Sequence, residues 1–229
     1  MRVLALGAHP DDVEIFAFGS LLAWREMGAE VAVGVATDGA ASGGDPAALR
    51  RARRAEAEAG AAGLGTVPRF LDLPDGELMA DRELVTRLRQ VIGEVRPELL
   101  VTHAPNDYHA DHRALSAAAS QAAGFGVPVL WMDTLGGTGF LPTHYVEVTR
   151  HFDAKCAAIR CHGSQDPERF VLSATRQAAF RAGECNGGPE ARAEAFRFEP
   201  RFPFGDIRAL LPPAPPVSPV LLRHDLADD

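Results

Sequence analysis

The stretch "RVLALGAHPDDVE" at residues 2–14 joins a continuous apolar run to a cluster of one histidine and three carboxylates. A short, continuous apolar run is typical of a strand in a parallel sheet that is covered on both faces. From Glu14 to Gly28, apolar side chains recur at helical spacing, and the closing glycine can end a helix. The stretch therefore predicts the strand, loop and helix with which an α/β domain begins.

The same unit recurs along the chain. Further strands are predicted over residues 30–37, 68–73, 98–105, 127–133 and 144–149, and further helices over 47–65, 81–97, 113–123, 152–162 and 166–183. Alternating strands and helices imply parallel pairing through right-handed crossovers. We therefore predict an α/β fold with a Rossmann-like, doubly wound, mostly parallel sheet and helices on both faces, in three layers.

The domain organisation is predicted to be simple. A chain of 229 residues can bury one sizeable core, and no linker separates two halves, so a single domain is expected over 1–229. After the last predicted helix the pattern is less regular. Prolines fix φ and remove backbone donors, so the Pro-rich segment from about 211–229 is expected to be an extended arm or a disordered tail.

Composition limits the classes of partner. The formal net charge is −8, and the one basic run, "RRARR" at 50–54, is followed at once by acids, which is typical of a solvated helix face and argues against nucleic-acid binding. The three cysteines fit neither a disulfide framework nor a metal clip, and no apolar run is long enough for a membrane span. A soluble, cytoplasmic protein is therefore expected, either monomeric or a homo-oligomer.

Polar clusters follow two of the predicted strands. In open parallel sheets, ligands bind where the carboxyl ends of the strands lead into loops. The first cluster follows strand 2–7, the second follows strand 98–105, and their members are His9, Asp11, Asp12, Glu14, His103, Asn106, Asp107, His109, Asp111 and His112. Both clusters are expected at the same edge of the sheet.

Imidazole nitrogens and carboxylate oxygens are the usual ligands of catalytic zinc, which takes three protein ligands and leaves one position open. His9, Asp12 and His112 would make such a set, and the three-residue spacing of His9 and Asp12 allows them to converge. "HPDD" alone fits a helix N-cap cluster equally well, and "HADH" alone fits a solvated helix start. The two clusters together favour a metal site.

The motifs "AHPDDVE" and "HADH" together resemble the two signatures of the PIG-L-type (LmbE-like) zinc-dependent deacetylases, which remove acetyl groups from N-acetylglucosamine-bearing substrates. Four further stretches agree with that family: "TDG" at 37–39, "RRAEAEAGAAGLG" at 53–65, "LPDGEL" at 73–78 and "KCAAIRCHGSQ" at 155–165. The resemblance covers roughly residues 1 to 165.

The resemblance implies specific roles. His9, Asp12 and His112 match the positions that hold one Zn²⁺ per subunit, with Fe²⁺ or Co²⁺ as substitutes because mixed nitrogen and oxygen ligation is not selective. Asp11 matches the general base. His109 matches the histidine that stabilises the oxyanion or protonates the leaving amine, and we expect it to act in its charged form.

Substrate contacts are implied less directly. Arg53, with Asp72 or Asp75, lies near the positions where relatives contact the sugar, and Asp38 borders the same edge of the sheet. The expected partner is therefore a small N-acetylated amino sugar or its conjugate.

Supporting residues surround the predicted ligands. Asp111 is expected to orient an imidazole, Glu14 to cap or orient rather than bind metal, and His103 to be structural. The chain also departs from the family, because it reads "IFAFGS" where relatives often have a glycine-rich stretch. Phe16 and Phe18 are therefore expected to narrow the pocket.

The predicted function is a zinc hydrolase that removes acetyl from an N-acetylated amino-sugar conjugate, with Asp11 activating water for attack on the amide. Two alternatives stay open. One is an amidase acting on a thiol-sugar conjugate or another amide, and the other is a non-catalytic, metal-free module that binds a sugar or nucleotide. A dinucleotide enzyme is disfavoured, because "AHPDD" stands where a G-x-G-x-x-G turn would be.

Overall fold

A computed structural model describes residues 1–220 of the chain. Its strands are β1 (Arg2–Gly7), β2 (Glu30–Thr37), β3 (Arg69–Leu73), β4 (Leu99–Thr102), β5 (Val129–Met132), β6 (His144–Glu147) and β7 (Ala193–Arg197). They form one sheet in the order β3-β2-β1-β4-β5-β7-β6. The first five strands pair in parallel, whereas β7 pairs antiparallel with both β5 and β6.

Helices cover both faces of this sheet. They are α1 (Asp12–Phe16), α2 (Phe18–Glu26), α3 (Pro46–Ala61), α4 (Arg82–Val95), α5 (Ala110–Ala123), α6 (Phe152–Arg160) and α7 (Pro167–Glu184). Alternate residues of β1 enter two separate cores: Val3 and Ala5 pack with α1, α2, α6 and α7, and Leu4 and Leu6 pack with α4 and α5. The predicted three-layer, mostly parallel α/β fold is confirmed.

The topology determines where a site can form. β1 pairs in parallel with β2 on one side and with β4 on the other, so the strand order reverses between β1 and β4. In doubly wound sheets the crevice at this reversal, at the carboxyl ends of the strands, is the usual ligand site. The loops after β1 and β4 carry the two polar clusters, so the fold brings them to this crevice.

Local sequence determines several helix ends. The Asp45 side chain accepts a hydrogen bond from Ala47 N at 3.0 Å before α3, and Asp81 accepts one from Leu84 N at 2.9 Å before α4. Such caps satisfy backbone donors that have no partner within the helix. Gly65, with φ +64°, ends the turn that follows α3. Asp81 therefore begins the helix predicted over 81–97, and Gly65 lies at the predicted end of the helix over 47–65.

The helix predicted from residue 14 onward is in fact two helices. Ala17 leaves the helical region with φ −140° and separates α1 from α2. Glu194, far along the chain in β7, accepts hydrogen bonds from Gly19 N at 3.1 Å and Ser20 N at 2.8 Å. This carboxylate therefore caps α2 from another element, which the local apolar spacing could not indicate.

Strand β7 was not predicted. Its sequence, "AEAFR", places a carboxylate at the second of its five positions, which suggests an exposed segment. In the structure Glu194 is buried and paired with the equally buried Lys155. Of the predicted Pro-rich arm, residues 212–220 form neither helix nor strand, and residues 221–229 lie outside the described part of the chain.

Two further expectations concern the chain as a whole. Cys156, Cys161 and Cys185 are free thiols, as their spacing predicts. Among residues 1–220, no helix is both long enough and apolar enough to cross a membrane.

The core beneath α4 provides a first test of the fold. Leu88 is fully buried among the side chains that α4 and α5 pack against the sheet. Leu88→Ala is expected to lower the free energy of unfolding by about 3 kcal/mol, because it removes buried methyl groups and leaves a cavity. Urea denaturation measures this loss. Gln90→Ala, at an exposed position of the same helix, should change it by about 0.5 kcal/mol or less. Equal effects would contradict the fold.

Candidate functional site

A cavity of about 310 Å³ lies at the carboxyl ends of β1 and β4. Its polar wall consists of His9, Asp11, Asp12, Ser42, Arg53, Asp75, His109, His112 and Gln165. A larger cavity of about 460 Å³ lies at the opposite edge of the sheet, beside the strand starts at Arg2, Glu30 and Arg69. We assign the site to the smaller cavity, because the titratable side chains of both predicted motifs meet there.

The three predicted metal ligands converge in this cavity. His9 Nδ1 lies 3.2 Å from His112 Nε2 and 3.3 Å from Asp12 Oδ2, and His112 Nε2 lies 3.3 Å from Asp12 Oδ1. Bonds of about 2.0–2.1 Å to a tetrahedral Zn²⁺ require ligand atoms about 3.3 Å apart. The donor set therefore fits a divalent cation in both chemistry and spacing.

Other donors lie close by, in three overlapping trios whose ligand atoms are within 4.8 Å of one another. These trios include His103, His109, Asp75 and Asp111. Several of them already serve the protein: His103 Nε2 accepts from Ala8 N at 3.1 Å, and His109 Nδ1 accepts from Asp111 N at 3.2 Å. They are better placed to surround a metal than to replace the predicted ligands.

The buried carboxylates around His9 and His112 favour positive charge at the predicted metal site. Burial lowers the pKa of His9, but the charge of Asp12 and the hydrogen bonds that the ring donates to Asp111, Asp12 and Asp75 outweigh it and raise the pKa to about 12. Burial likewise lowers the pKa of His112, but Asp12 raises it to about 9. Buried carboxylates need a countercharge, and a bound cation supplies it as well as protons do.

Asp11 lies beside the ligands without belonging to them. Its Oδ1 is 3.0 Å from Arg53 Nη2, and among the described residues its side chain makes no capping hydrogen bond to α1. Burial raises the pKa of Asp11, although Arg53 opposes the shift. A carboxyl group with a raised pKa is suited to accepting a proton. Arg53 itself is buried, in contrast to the solvated face predicted for its basic run.

His109 differs from expectation in its charge. Burial, followed by the charges of His9 and His112, lowers its pKa and so favours the neutral ring. Because Nδ1 accepts from the backbone N–H of Asp111, the proton of the neutral ring is assigned to Nε2. The charged form of His109 stays a prediction that this environment disfavours, and the neutral ring can also donate a hydrogen bond, through Nε2.

An outer layer of carboxylates contacts the predicted ligands. Asp111 Oδ2 and Asp75 Oδ1 each lie 3.2 Å from His9 Nε2. Asp111 is held in turn by Gly76 N at 2.8 Å and Leu78 N at 3.2 Å. The loop after β3 is thereby tied to the "HADH" motif, and His9 Nδ1 is turned towards Asp12 and His112.

Asp107 and His103 have a larger part in the site than the sequence indicated. Asp107 Oδ2 lies 3.2 Å from His112 Nδ1, the usual position for a carboxylate behind a ligating histidine. His103 Nε2 lies 3.0 Å from Asp12 Oδ2, and its ring stacks on His112 with centroids 3.7 Å apart. No feature of the sequence distinguished Asp107 from an ordinary loop residue.

The structure separates the predicted substrate contacts. Asp75 and Arg53 line the cavity, whereas Asp72 lies outside it, half-exposed and paired with Arg54. Asp38 also lies outside the lining, paired with Arg50 and accepting a hydrogen bond from Asp75 N at 3.3 Å. Asp38 therefore shapes the loop that carries Asp75.

The remaining wall of the cavity is largely apolar. It is formed by Ile15, Phe16, Tyr108, Leu135 and Phe170. Phe16 lines the cavity, where the predicted narrowing requires it, with its ring edge-on to His112 at 6.1 Å between centroids. Phe18 instead packs fully buried in the core, so the same expectation for Phe18 was wrong. Leu135, Gln165 and Phe170 come from distant segments and were not foreseen.

The chain resembles proteins of known structure and activity. A family model described as PIG-L, GlcNAc-PI de-N-acetylase, matches residues 4–123. The diacetylchitobiose deacetylase of Thermococcus kodakarensis is 28% identical over 225 residues, which cover 87% of this chain and 83% of that protein.

Two solved structures share the fold. The N,N'-diacetylchitobiose deacetylase of Pyrococcus horikoshii matches with a TM-score of 0.77 and 25% identity, over 86% of this chain and 83% of that one. The 4-carboxy-2-hydroxymuconate hydratase of Pseudomonas putida KT2440 matches with the same TM-score and identity, over 87% of this chain and 97% of that one. Because the family model spans more than half of the 229 residues and includes both the "AHPDDVE" motif and the "HADH" motif, the chain belongs to the PIG-L (GlcNAc-PI de-N-acetylase) family.

Proposed function

We propose that the protein is a metal-dependent hydrolase that removes the acetyl group from an N-acetylated amino-sugar conjugate. The observation that carries the proposal is the convergence of His9, Asp12 and His112 at 3.2–3.3 Å in a cavity that also contains Asp11 and His109. Zn²⁺ is the proposed cofactor, one per chain, and Fe²⁺ or Co²⁺ would fit the same donors.

A divalent cation held by these three side chains would polarise the amide carbonyl and lower the pKa of a water molecule. Asp11 then acts as the base. Arg53 holds Oδ1 at 3.0 Å, and Oδ2 accepts the proton that the attacking water loses. The same oxygen returns that proton to the amine nitrogen when the carbon–nitrogen bond breaks, so acetate and a free amine are released.

His109 would stabilise the negative charge that develops on the carbonyl oxygen. Its Nε2–H is the donor, because Nδ1 is occupied by the backbone N–H of Asp111. A fixed donor of this kind favours the transition state over the flat amide.

The cavity walls suit an amino sugar. Asp75 and Arg53 offer hydrogen-bonding groups to hydroxyls on one side, and Phe16 and Phe170 offer apolar surface to the ring face or the acetyl methyl on the other. Pockets that combine an apolar lining with a few polar groups bind small molecules in this way.

The likeness to a hydratase makes hydration of a carboxylated diene a second candidate. Such a substrate is an anion and would meet Asp11, Asp12 and Asp75 in the cavity. Within residues 1–220, Arg53 is the one arginine or lysine in the lining, and Asp11 already pairs with it. Apart from the predicted ligands and their cation, the charged side chains of the lining are Asp11, Asp75 and Arg53, and this acidic balance favours the neutral amide over the polycarboxylate.

Substrate profiling tests the proposal. The Zn²⁺-loaded protein would be incubated with N-acetylglucosamine, N,N'-diacetylchitobiose, an acylated thiol-sugar conjugate and 4-carboxy-2-hydroxymuconate, and acetate, free amine and hydrated product would be quantified. Acetate release from the N-acetyl sugars is expected. Cleavage of the thiol-sugar amide alone would favour the amidase alternative, and hydration alone would contradict the proposal.

Metal removal gives a further prediction. Dialysis against a strong chelator is expected to lower the rate of acetate release at least about 100-fold, because the amide then faces an unassisted water. Added Zn²⁺ should restore the rate. A rate unaffected by complete removal of the metal would contradict metal-dependent hydrolysis, and a protein that neither binds metal nor hydrolyses any amide would be the non-catalytic module.

A further inference from the structure

The proposed mechanism leaves one buried pair of ionisable side chains without a role. His162, in the turn after α6, is almost fully buried, and its Nε2 lies 3.6 Å from Oε2 of the buried Glu14. Neither ring nitrogen of His162 has a closer hydrogen-bond partner within the described residues. Glu14 lies in α1, the five-residue helix that begins at the proposed ligand Asp12.

The pair occupies a space that a glycine leaves open. A Cβ atom at Gly60 of α3 would lie 2.9 Å from Glu14 Oε1 and 3.2 Å from His162 Nε2. Glycine in the interior of a helix lowers stability relative to alanine, so its presence needs a reason. The close approach of Glu14 and His162 to the backbone of α3 supplies that reason.

The buried negative charges around α1 explain why Glu14 needs His162 as a partner. Asp11, Asp12 and Glu14 are three buried carboxylates within four residues. A buried carboxylate without a countercharge is strongly destabilising. Asp12 faces the histidine cluster, Asp11 faces Arg53 at 3.0 Å, and Glu14 faces His162. Each acid therefore has its own partner, and each partner comes from a different part of the chain.

The partners are arranged along one helix. Arg53 and Gly60 are seven residues apart, which is two turns of α3, so they lie on the same face. The turn that carries His162 is fixed to this helix as well, because Ser164 N and Oγ donate to Glu56 at 2.8 and 2.7 Å. Helix α3 thus holds Asp11 at one point and the Glu14–His162 pair two turns away.

The carboxylates around His162 favour its protonated form, which makes it a cationic partner for Glu14. Burial lowers the pKa of His162, but the nearby carboxylate of Glu14, with the charges of Asp11 and Glu56, outweighs burial and raises it. A protonated ring donates through both nitrogens. It can therefore attract Glu14 while remaining within the field of Asp11.

We infer that His162 is a positioning residue: paired with Glu14 over Gly60, it fixes α1 against α3 and so sets Asp12 among the histidines and Asp11 beside Arg53. His162 lies outside the lining of the cavity and acts through Glu14. The inference concerns the geometry of the loop that carries Asp11 and Asp12. Only its kinetic readout rests on the proposed function.

Two substitutions test it from opposite sides. His162→Gln keeps a hydrogen-bond donor of similar size but cannot carry charge. Gly60→Ala leaves both charged groups intact and inserts a methyl group between them and α3. Alanine is the better helix former, so Gly60→Ala should not unfold α3 for local reasons. The matched control is His151→Gln, because His151 is also buried and lies 3.4 Å from a glutamate, Glu26, outside the cavity.

Three measurements are made on each variant: Co²⁺ affinity by competition with a chromophoric chelator, the visible spectrum of the Co²⁺-loaded protein, and kcat and KM for an N-acetyl sugar. Both site variants are expected to bind Co²⁺ about 10-fold more weakly, with an altered spectrum. At saturating metal, kcat is expected to fall about 10- to 100-fold while KM stays within about twofold. Glu14→Gln should match His162→Gln, and the double variant should be no worse than either single one.

A purely structural role predicts different results. Co²⁺ affinity, spectrum and kcat within about twofold of the wild type in both site variants would overturn the inference, as would equal losses in His151→Gln. Should His162→Gln fail to fold, Gly60→Ala decides alone. If the wild type releases no acetate, the proposed function fails, and the Co²⁺ measurements still decide whether His162 and Glu14 position the metal loop.

Discussion

Asp11→Asn is expected to lower kcat for acetate release about 1,000-fold while the bound Zn²⁺ stays at the wild-type level. Asparagine keeps the size of the side chain and can accept from Arg53 through Oδ1, at the position now 3.0 Å from Nη2. It cannot take a proton from water. Initial rates at saturating substrate measure kcat, and elemental analysis of the purified variant measures the metal.

The control for this variant is Asp133→Asn. Asp133 is buried and pairs with Arg181, whose Nε lies 2.6 Å from Oδ2, so the substitution removes the same kind of Asp–Arg pair outside the cavity. Its kcat should stay within about threefold of the wild type once the folded fraction is equal. An Asp11→Asn enzyme with a tenth or more of the wild-type kcat would remove Asp11 from the role of base.

His112→Gln is expected to weaken Zn²⁺ binding at least about 1,000-fold and to abolish acetate release at micromolar Zn²⁺. Loss of an outer-layer partner typically costs 10- to 100-fold in affinity, and loss of one of three direct ligands should exceed that. Glutamine retains most of the volume that packs against His103 and Phe16. Competition with a chromophoric chelator measures the affinity.

The comparison variant is Asp107→Asn, since Asp107 Oδ2 lies 3.2 Å from His112 Nδ1 on the side of the ring away from the other ligands. Its Zn²⁺ affinity should fall about 10- to 100-fold. If both substitutions weaken binding equally, His112 is not a direct ligand and the donor set has to be sought among the neighbouring trios.

Much of the fold could be predicted, because the central strands are continuous apolar runs between helices and turn residues. The strand predicted at 2–7 is β1 from end to end, and that at 30–37 is β2. The break at Ala17 could not be predicted, because Glu194 of β7 caps the second helix. β7 was not predicted either, because a carboxylate in a strand suggests exposure, whereas here Lys155, distant in sequence, pairs with Glu194 and allows it to be buried.

The site residues also divide into those that the local sequence indicates and those that it does not. His9, Asp12 and His112 could be proposed together because two motifs follow strands that end at one edge of the sheet. Asp107 and Phe170 could not, because nothing in their own segments distinguishes a loop acid from the partner of an imidazole, or a helix-surface phenylalanine from a cavity wall. Phe170 reaches the cavity through the packing of distant elements, and Asp107 is placed behind His112 by the local fold of its own loop.

The cavity is lined by residues from several segments of the chain, and this has a consequence for how the fold can acquire new substrates. The proposed reacting groups all come from the loop–helix junctions that follow β1 and β4, whereas Leu135, Gln165 and Phe170 reach the cavity from three other segments. Mutations in those segments can change what is admitted without disturbing how it is transformed. One architecture can therefore serve successive substrates during evolution while its chemistry is inherited intact.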